Sequence, residues 1–212
     1  MSEVQMQEIV CPKCGRKEMF KVWDSINIMV DPDMREKVRN DEAFRFHCPD
    51  CGTSSMVNYN FLYHEPKEKR LIFCDADGSN CDEMRRVMKS RDNVFKDYTK
   101  RIVMSHNEFK EKLIIFDASL DDKIVEIIKS GIFSNLEAHY KDKGIDEIFF
   151  VINEEGEKGF ILRSRGVMQA GMEFDQSLYD VLKEKAKDRI DLLSPTDVDI
   201  NQKWAREIIE RL

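Results

Sequence analysis

With 212 residues, the chain has room for one domain with an appendage or for two small domains. Hydrophobic residues make up 42% and charged residues 35%, and no apolar run approaches the ~20 residues of a membrane span, which excludes a helical membrane protein. The net charge of −7 argues against a protein coated in nucleic acid, because phosphate contacts need a concentrated basic surface.

Residues 1–10, MSEVQMQEIV, lack the basic start and apolar stretch of a secretory signal, so a cytoplasmic location is expected. Thiols stay reduced in that compartment. The six cysteines therefore point to metal or redox chemistry ahead of structural disulfides.

Cys11 and Cys14 stand in CPKCG, and Cys48 and Cys51 in CPDCG, with 33 residues between the pairs. Tetrahedral Zn²⁺ takes four thiolates at about 2.3 Å, and each CxxC turn brings two sulfurs to one side of the metal. Gly15 and Gly52 suit the positive φ that closes such a turn, while Pro12 and Pro49 pre-set φ within it. The expected ligand is one structural Zn²⁺. The alternative is a thiol–disulfide centre, in which the first cysteine of a CPxC motif caps a helix that lowers its pKa. The residues that follow favour metal: Phe20, Val22, Ile26, Ile28 and Val30 share a strand parity, and Met56–Tyr63 is rich in strand formers. Four sulfurs leave no position open for substrate, so catalysis at the metal is not expected.

In chain order, Met19–Val30 reads as a strand. Asp31 then caps a short helix with Pro32 at its first position and Met34 and Val38 one turn apart. Phe44 and Phe46 alternate with polar residues and deliver Cys48, which makes a zinc ribbon with a helical insertion. Met56–Tyr63 and Arg70–Cys74 form a hairpin across Pro66–Lys69. His64 beside Glu65 resembles an acid/base pair, although a hairpin end explains it better. Cys74 reads as a small buried hydrophobe and Cys81 lies in a turn-rich stretch, with a regulatory disulfide between them as the alternative.

From Cys81 to about Ser105, residues Met84, Val87, Met88, Arg91, Phe95, Tyr98 and Ile102 follow helical spacing. Residues 84–101 carry seven basic and two acidic side chains. Arg85, Arg86, Lys89, Arg91, Lys100 and Arg101 are thus the candidate nucleic-acid contacts, against the reading of a solvated amphipathic face.

Lys112–Phe116 reads as a short buried strand. Residues 119–131 read as a helix capped by Ser119, ended by Gly131, with Leu120, Ile124, Ile127 and Ile128 inward and Asp121 and Asp122 complementing its dipole. IDEIFFVIN and KGFILRS make an antiparallel hairpin. A helix from Asp175 turns Leu178, Val181, Leu182 and Ile190 inward, and after Pro195 a last helix carries Ile200, Trp204, Ile208 and Leu212. The expected class is α+β: an N-terminal zinc ribbon with a helical insertion and following helices over 1–131, then a hairpin-plus-helices unit over 132–212. No glycine-rich phosphate loop, GxSxG elbow or HExxH appears, and no catalytic residue is assigned.

CPKCG, VWDSIN, DPDMREKV, CPDCG, LYHEPKEKRLI and RIVMSHNEFKEKLIIFDASLDDKIVEIIK together resemble the CpXC family over roughly residues 9–130. The resemblance implies a zinc-ribbon-like protein with Cys11, Cys14, Cys48 and Cys51 as the cysteines that carry over, and it brings no activity with it. The expected function is that of a non-enzymatic cytoplasmic zinc-binding adaptor or scaffold with a protein partner and no membrane association. Nucleic-acid binding through the basic stretch is the alternative, and a thiol redox enzyme at a CPxC pair is the lesser one.

Overall fold

The computed structural model describes residues 2–79, 81–90, 94–139 and 144–212. The chain divides into two compact units, one ending at Phe109 and the other beginning at Lys110. Together they make a mixed α+β protein with several sheets and six helices among the described residues.

The first unit holds β1 (Glu3–Val10), β2 (Lys17–Asn27), α1 (Met34–Arg39), a 3₁₀ turn (Glu42–Phe44), β3 (Arg45–His47), β4 (Ser54–Met56), β5 (Phe61–Glu65), β6 (Arg70–Cys74), α2 (Cys81–Lys89) and β7 (Thr99–Val103). One sheet has the order β1-β2-β5-β6-β7, while β3 and β4 form a separate antiparallel ladder. The β5–β6 hairpin turns at 66–69 as its sequence predicts. Tyr63 and Ile72 on these strands are fully buried. The rings of Phe44, Phe61 and Phe109 close over this face, with Phe61 centred 4.8 Å from both of the others. Edge-to-face contacts of this kind add to the area they bury.

Several local readings shift. The second strand starts at Lys17 and stops at Asn27, because the Asn27 side chain accepts the Met29 amide and its carbonyl accepts those of Val30 and Asp31, closing a turn. Val30 is consequently exposed. α1 starts at Met34 rather than at Pro32, and Asp31 serves it through its carbonyl; Met34 and Val38 are buried as their spacing predicts. The expected helix over 81–105 ends at Lys89. Thr99–Val103 instead pairs in parallel with β6, where an unfilled sheet edge outweighs a helical spacing that is only local.

α3 (His106–Asp117) absorbs the stretch Lys112–Phe116 that reads as a strand. A short apolar run is ambiguous, and here it continues a helix whose Glu108 amide is capped by Ser105 Oγ. In the second unit, α4 (Asp122–His139) runs through Gly131 instead of ending there, since Phe133 beyond it still finds a buried place. The Asp121 side chain accepts the Lys123 amide at the start of this helix.

The sheet of the second unit has three antiparallel strands, β8 (Glu147–Ile152), β9 (Lys158–Ser164) and β10 (Val167–Glu173), in the order β10-β9-β8. β10 carries no apolar alternation and was not legible. Its signal is the turn Arg165-Gly166, where φ is +50° and +75°, the mirror-image geometry that suits a two-residue hairpin. Phe150, Phe160 and Phe174 pack with centroids 5.3–5.8 Å apart. α5 (Gln176–Leu193) buries Tyr179 and Ile190, leaving Leu178 and Val181 each 45% exposed, so its inward face is rotated by one residue from the expected one. Tyr179 sets that rotation: its ring meets Phe174 and its hydroxyl accepts the Asp121 amide. α6 (Gln202–Ile209) is capped by the Asn201 side chain and buries Trp204 and Ile208, with Leu212 exposed beyond its end. Among the described residues, no helix is long and apolar enough to cross a membrane.

Candidate metal centre

Two hairpins carry the cysteines. The loop between β1 and β2 holds Cys11 and Cys14, and the loop between β3 and β4 holds Cys48 and Cys51. The two loops repeat one hydrogen-bond pattern. The first cysteine's amide donates to the carbonyl five residues on (Cys11 to Arg16, Cys48 to Thr53, both 2.8 Å), and the glycine amide donates back to the first cysteine's carbonyl (Gly15 to Cys11, Gly52 to Cys48, both 3.0 Å). That closure requires φ of +75° at Gly15 and +67° at Gly52, a conformation that disfavours any side chain.

The four sulfurs lie within 4.8 Å of one another. Cys11 and Cys51 approach to 3.6 Å, as do Cys14 and Cys48. A tetrahedron with bonds of ~2.3 Å places its sulfurs about 3.8 Å apart, whereas a disulfide requires about 2.05 Å. Both of these approaches cross between motifs, so the arrangement closes around a centre shared by all four sulfurs.

The surroundings favour the thiolate at Cys11 and Cys51. The amides of Cys14 and Lys13 donate to Cys11 Sγ and lower its pKa. At Cys51, the Thr53 hydroxyl, 3.3 Å from the sulfur, and the Thr53 amide bring the pKa down to about 6. At Cys14, which is exposed, the Arg16 amide pulls downward, but partial desolvation and the neighbouring sulfurs of Cys48, Cys11 and Cys51 prevail and push it up to about 12. Four sulfurs this close cannot all hold negative charge without a cation among them. The donor set, its spacing and its amide hydrogen bonds therefore fit a zinc-binding site.

Three supporting features escape motif reading. Ile9, Phe20, Phe46 and Val57 form an apolar collar with Cys11, Cys48 and Cys51. The Arg16 guanidinium, just beyond the first glycine, bonds to Asp50 inside the second motif and to Glu18 at 3.0 Å. Thr53 supplies the hydroxyl described above. Their one sequence signal is position beside the cysteines, for no spacing rule specifies a partner 34 residues away.

The other candidate residues do not form one site. Arg85, Arg86 and Lys89 lie on α2 and line an open groove with Asp82 and Ser90. Lys100 and Arg101 belong to β7 and are buried, at 8% and 7% exposure, which removes them from any nucleic-acid surface. Lys100 Nζ donates to the carbonyls of Met88 and Ser90, closing the end of α2. Arg91 lies outside the described residues.

His64 and Glu65 point to opposite faces of β5 and do not form an acid/base pair. His64 packs against Phe95 and Tyr98, where burial lowers its pKa. Glu65 is fully buried and accepts from Arg39 (2.9 Å), Tyr63 (2.9 Å) and Arg70 (3.1 Å). Cys74 is likewise buried, and burial pushes its thiol up to about 12, as a packing residue requires. The side chain of Cys81, its proposed disulfide partner, lies outside the described residues.

A mixed α+β fold with four thiols gathered at two hairpin tips defines the class as a protein with a four-cysteine cluster able to hold a metal ion. Residues 9–129 match the family model described as CpXC protein, and the chain belongs to that family. No curated protein and no solved structure matches it.

Proposed function

We propose that this is a zinc-binding adaptor or scaffold protein. In this reading Cys11, Cys14, Cys48 and Cys51 hold one structural Zn²⁺, and the two hairpins form a zinc ribbon with α1 as its insertion. The observation that carries it is the convergence of four sulfurs, with no fifth ligating side chain beside them among the described residues. A closed shell of this kind stabilises a fold and leaves the metal no chemistry to perform, so function falls to the surfaces around it. A cytoplasmic setting fits the reduced thiols this reading needs. The redox alternative is weaker, because each motif's sulfurs approach those of the other motif and neither CPxC pair opens a helix.

Cys48→Ser tests the metal reading. The variant should lose bound zinc and unfold the first unit, because structural zinc sites contribute on the order of 10 kcal/mol of apparent folding free energy. Zinc content by elemental analysis and far-UV circular dichroism follow both. A folded wild type that contains no metal would refute the proposal.

One observation favours a second reading: Arg85, Arg86 and Lys89 face a shared open groove on α2. Single-stranded or duplex nucleic acid bound there would dissociate with rising salt, and reversing the three charges would abolish the salt dependence. An absence of binding at low salt would remove it.

A further inference from the structure

β1 is eight residues long and terminates the five-stranded sheet, with β2 on one side and, among the described residues, no strand on the other. Such edges attract other strands, and native edges are usually blunted by lysine, proline, shortness or a bulge. β1 has none of the first three; its charges are Glu3 and Glu8, and its one irregularity lies at its extreme end, between Glu3 and Val4. Both of its faces are exposed along most of its length, so no side chain of the chain itself overlies an incoming strand. Val4, Met6 and Val10 are 46%, 57% and 58% exposed and Met19 on the adjoining β2 is 53% exposed, apolar side chains that share one face of the hairpin with Glu8, Lys17 and Lys21.

We propose that β1 pairs antiparallel with β1 of a second copy of this chain, about a two-fold axis passing through Met6. The strand's own sequence argues for a copy over an unrelated peptide. Gln5-Met6-Gln7 reads the same in both directions, so this axis sets Met6 against its own copy and places Gln5, whose amide donates to Asp24 of its own chain at 2.9 Å, opposite the partner's Gln7. The same register places Val4 opposite the partner's Glu8 and Glu3 opposite the partner's Ile9, so no like charges face each other. Glu8 is already neutralised by Lys17 at 2.8 Å. A surface that complements itself closes as a two-fold dimer and leaves no free edge behind. The inference concerns the strand edge and does not rest on the identity of the metal or on the adaptor reading.

Analytical ultracentrifugation of the full zinc-loaded chain tests it. The wild type should sediment with twice the 25.0 kDa of one chain at high concentration and dissociate on dilution. Met6→Lys and Met6→Glu should each weaken association about tenfold or more, because like charges placed directly opposite across a strand pair repel. An equimolar mixture of the two should associate again. A wild type that stays monomeric at every concentration overturns the proposal, as does a dimer that Met6→Lys leaves intact. Hydrogen exchange on the wild type gives a readout free of any substitution: β1 amides should gain protection as concentration rises, and unchanged protection contradicts the pairing.

Discussion

Glu65 shows how a charge is kept inside this protein. Its carboxylate sees no solvent, yet Arg39, Arg70 and the Tyr63 hydroxyl occupy its lone pairs, and Arg35 stands 3.6 Å away. Replacing it by leucine strands these guanidiniums near an apolar surface. Breaking a fully buried pair costs about 3–5 kcal/mol, and the partial exposure of the arginines brings the expected loss to the lower end, about 3 kcal/mol, read as a fall in urea midpoint. Asp77 behaves differently because it lies at the surface. The Ser79 hydroxyl, the Asn60 side chain and the Ser79 amide donate to its carboxylate and draw its pKa from 3.8 to about 2. The folded pKa is the lower one, so this contribution to stability is full above pH 3.8 and disappears as pH falls through about 2. A carboxyl titration by NMR should place the Asp77 midpoint near 2; a midpoint near 4 would show that the loop does not hold it. At this scale the cysteines were legible because one five-residue pattern occurs twice. The environment of Glu65 was not, since its three partners come from α1, β5 and β6, which only the fold assembles.

Among the elements, some failed to read from sequence. β7 lies in a segment with helical spacing, α3 contains a run that reads as a strand, and β10 shows no alternation at all. For β7 and β10 a neighbour decides, β6 offering its edge and the Arg165-Gly166 turn returning the chain beside β9, while in α3 the helix itself runs on through the apolar stretch. The α3–α4 pair also holds a buried ion network whose charges look, in sequence, like an ordinary solvated face. Lys129 meets Glu111 at 2.8 Å and Glu126 at 3.0 Å, Lys112 meets Asp122 at 3.0 Å and Glu126 at 3.2 Å, and Glu111 also accepts the Phe150 amide from β8. Burial raises the pKa of Glu111, and the lysines oppose that rise without overcoming it. Lys129→Met should cost about 3–5 kcal/mol by leaving two carboxylates without their shared cation. Adding Glu111→Leu should recover part of the loss. A Lys129→Met protein with an unchanged denaturation midpoint would mean that the network adds nothing to the fold.

At the scale of the whole molecule, the family match and the physical units have different boundaries. The match ends at residue 129, within α4, while the compact units divide after Phe109. The matched stretch therefore includes Glu111, Lys112, Asp122, Glu126 and Lys129, although β8, whose amide Glu111 accepts, lies beyond it. The metal centre belongs wholly to the first unit, where two short loops gain little from apolar burial beyond the collar of Ile9, Phe20, Phe46 and Val57. A shared ion is the interaction that best accounts for four sulfurs drawn this close. The most direct test is native mass spectrometry of the full chain combined with thiol alkylation, before and after chelation. The account predicts one zinc per chain, with Cys11, Cys14, Cys48 and Cys51 protected until chelation, and with buried Cys74 protected until the protein unfolds. A folded, metal-free protein whose four cysteines alkylate freely before any chelator is added would contradict it.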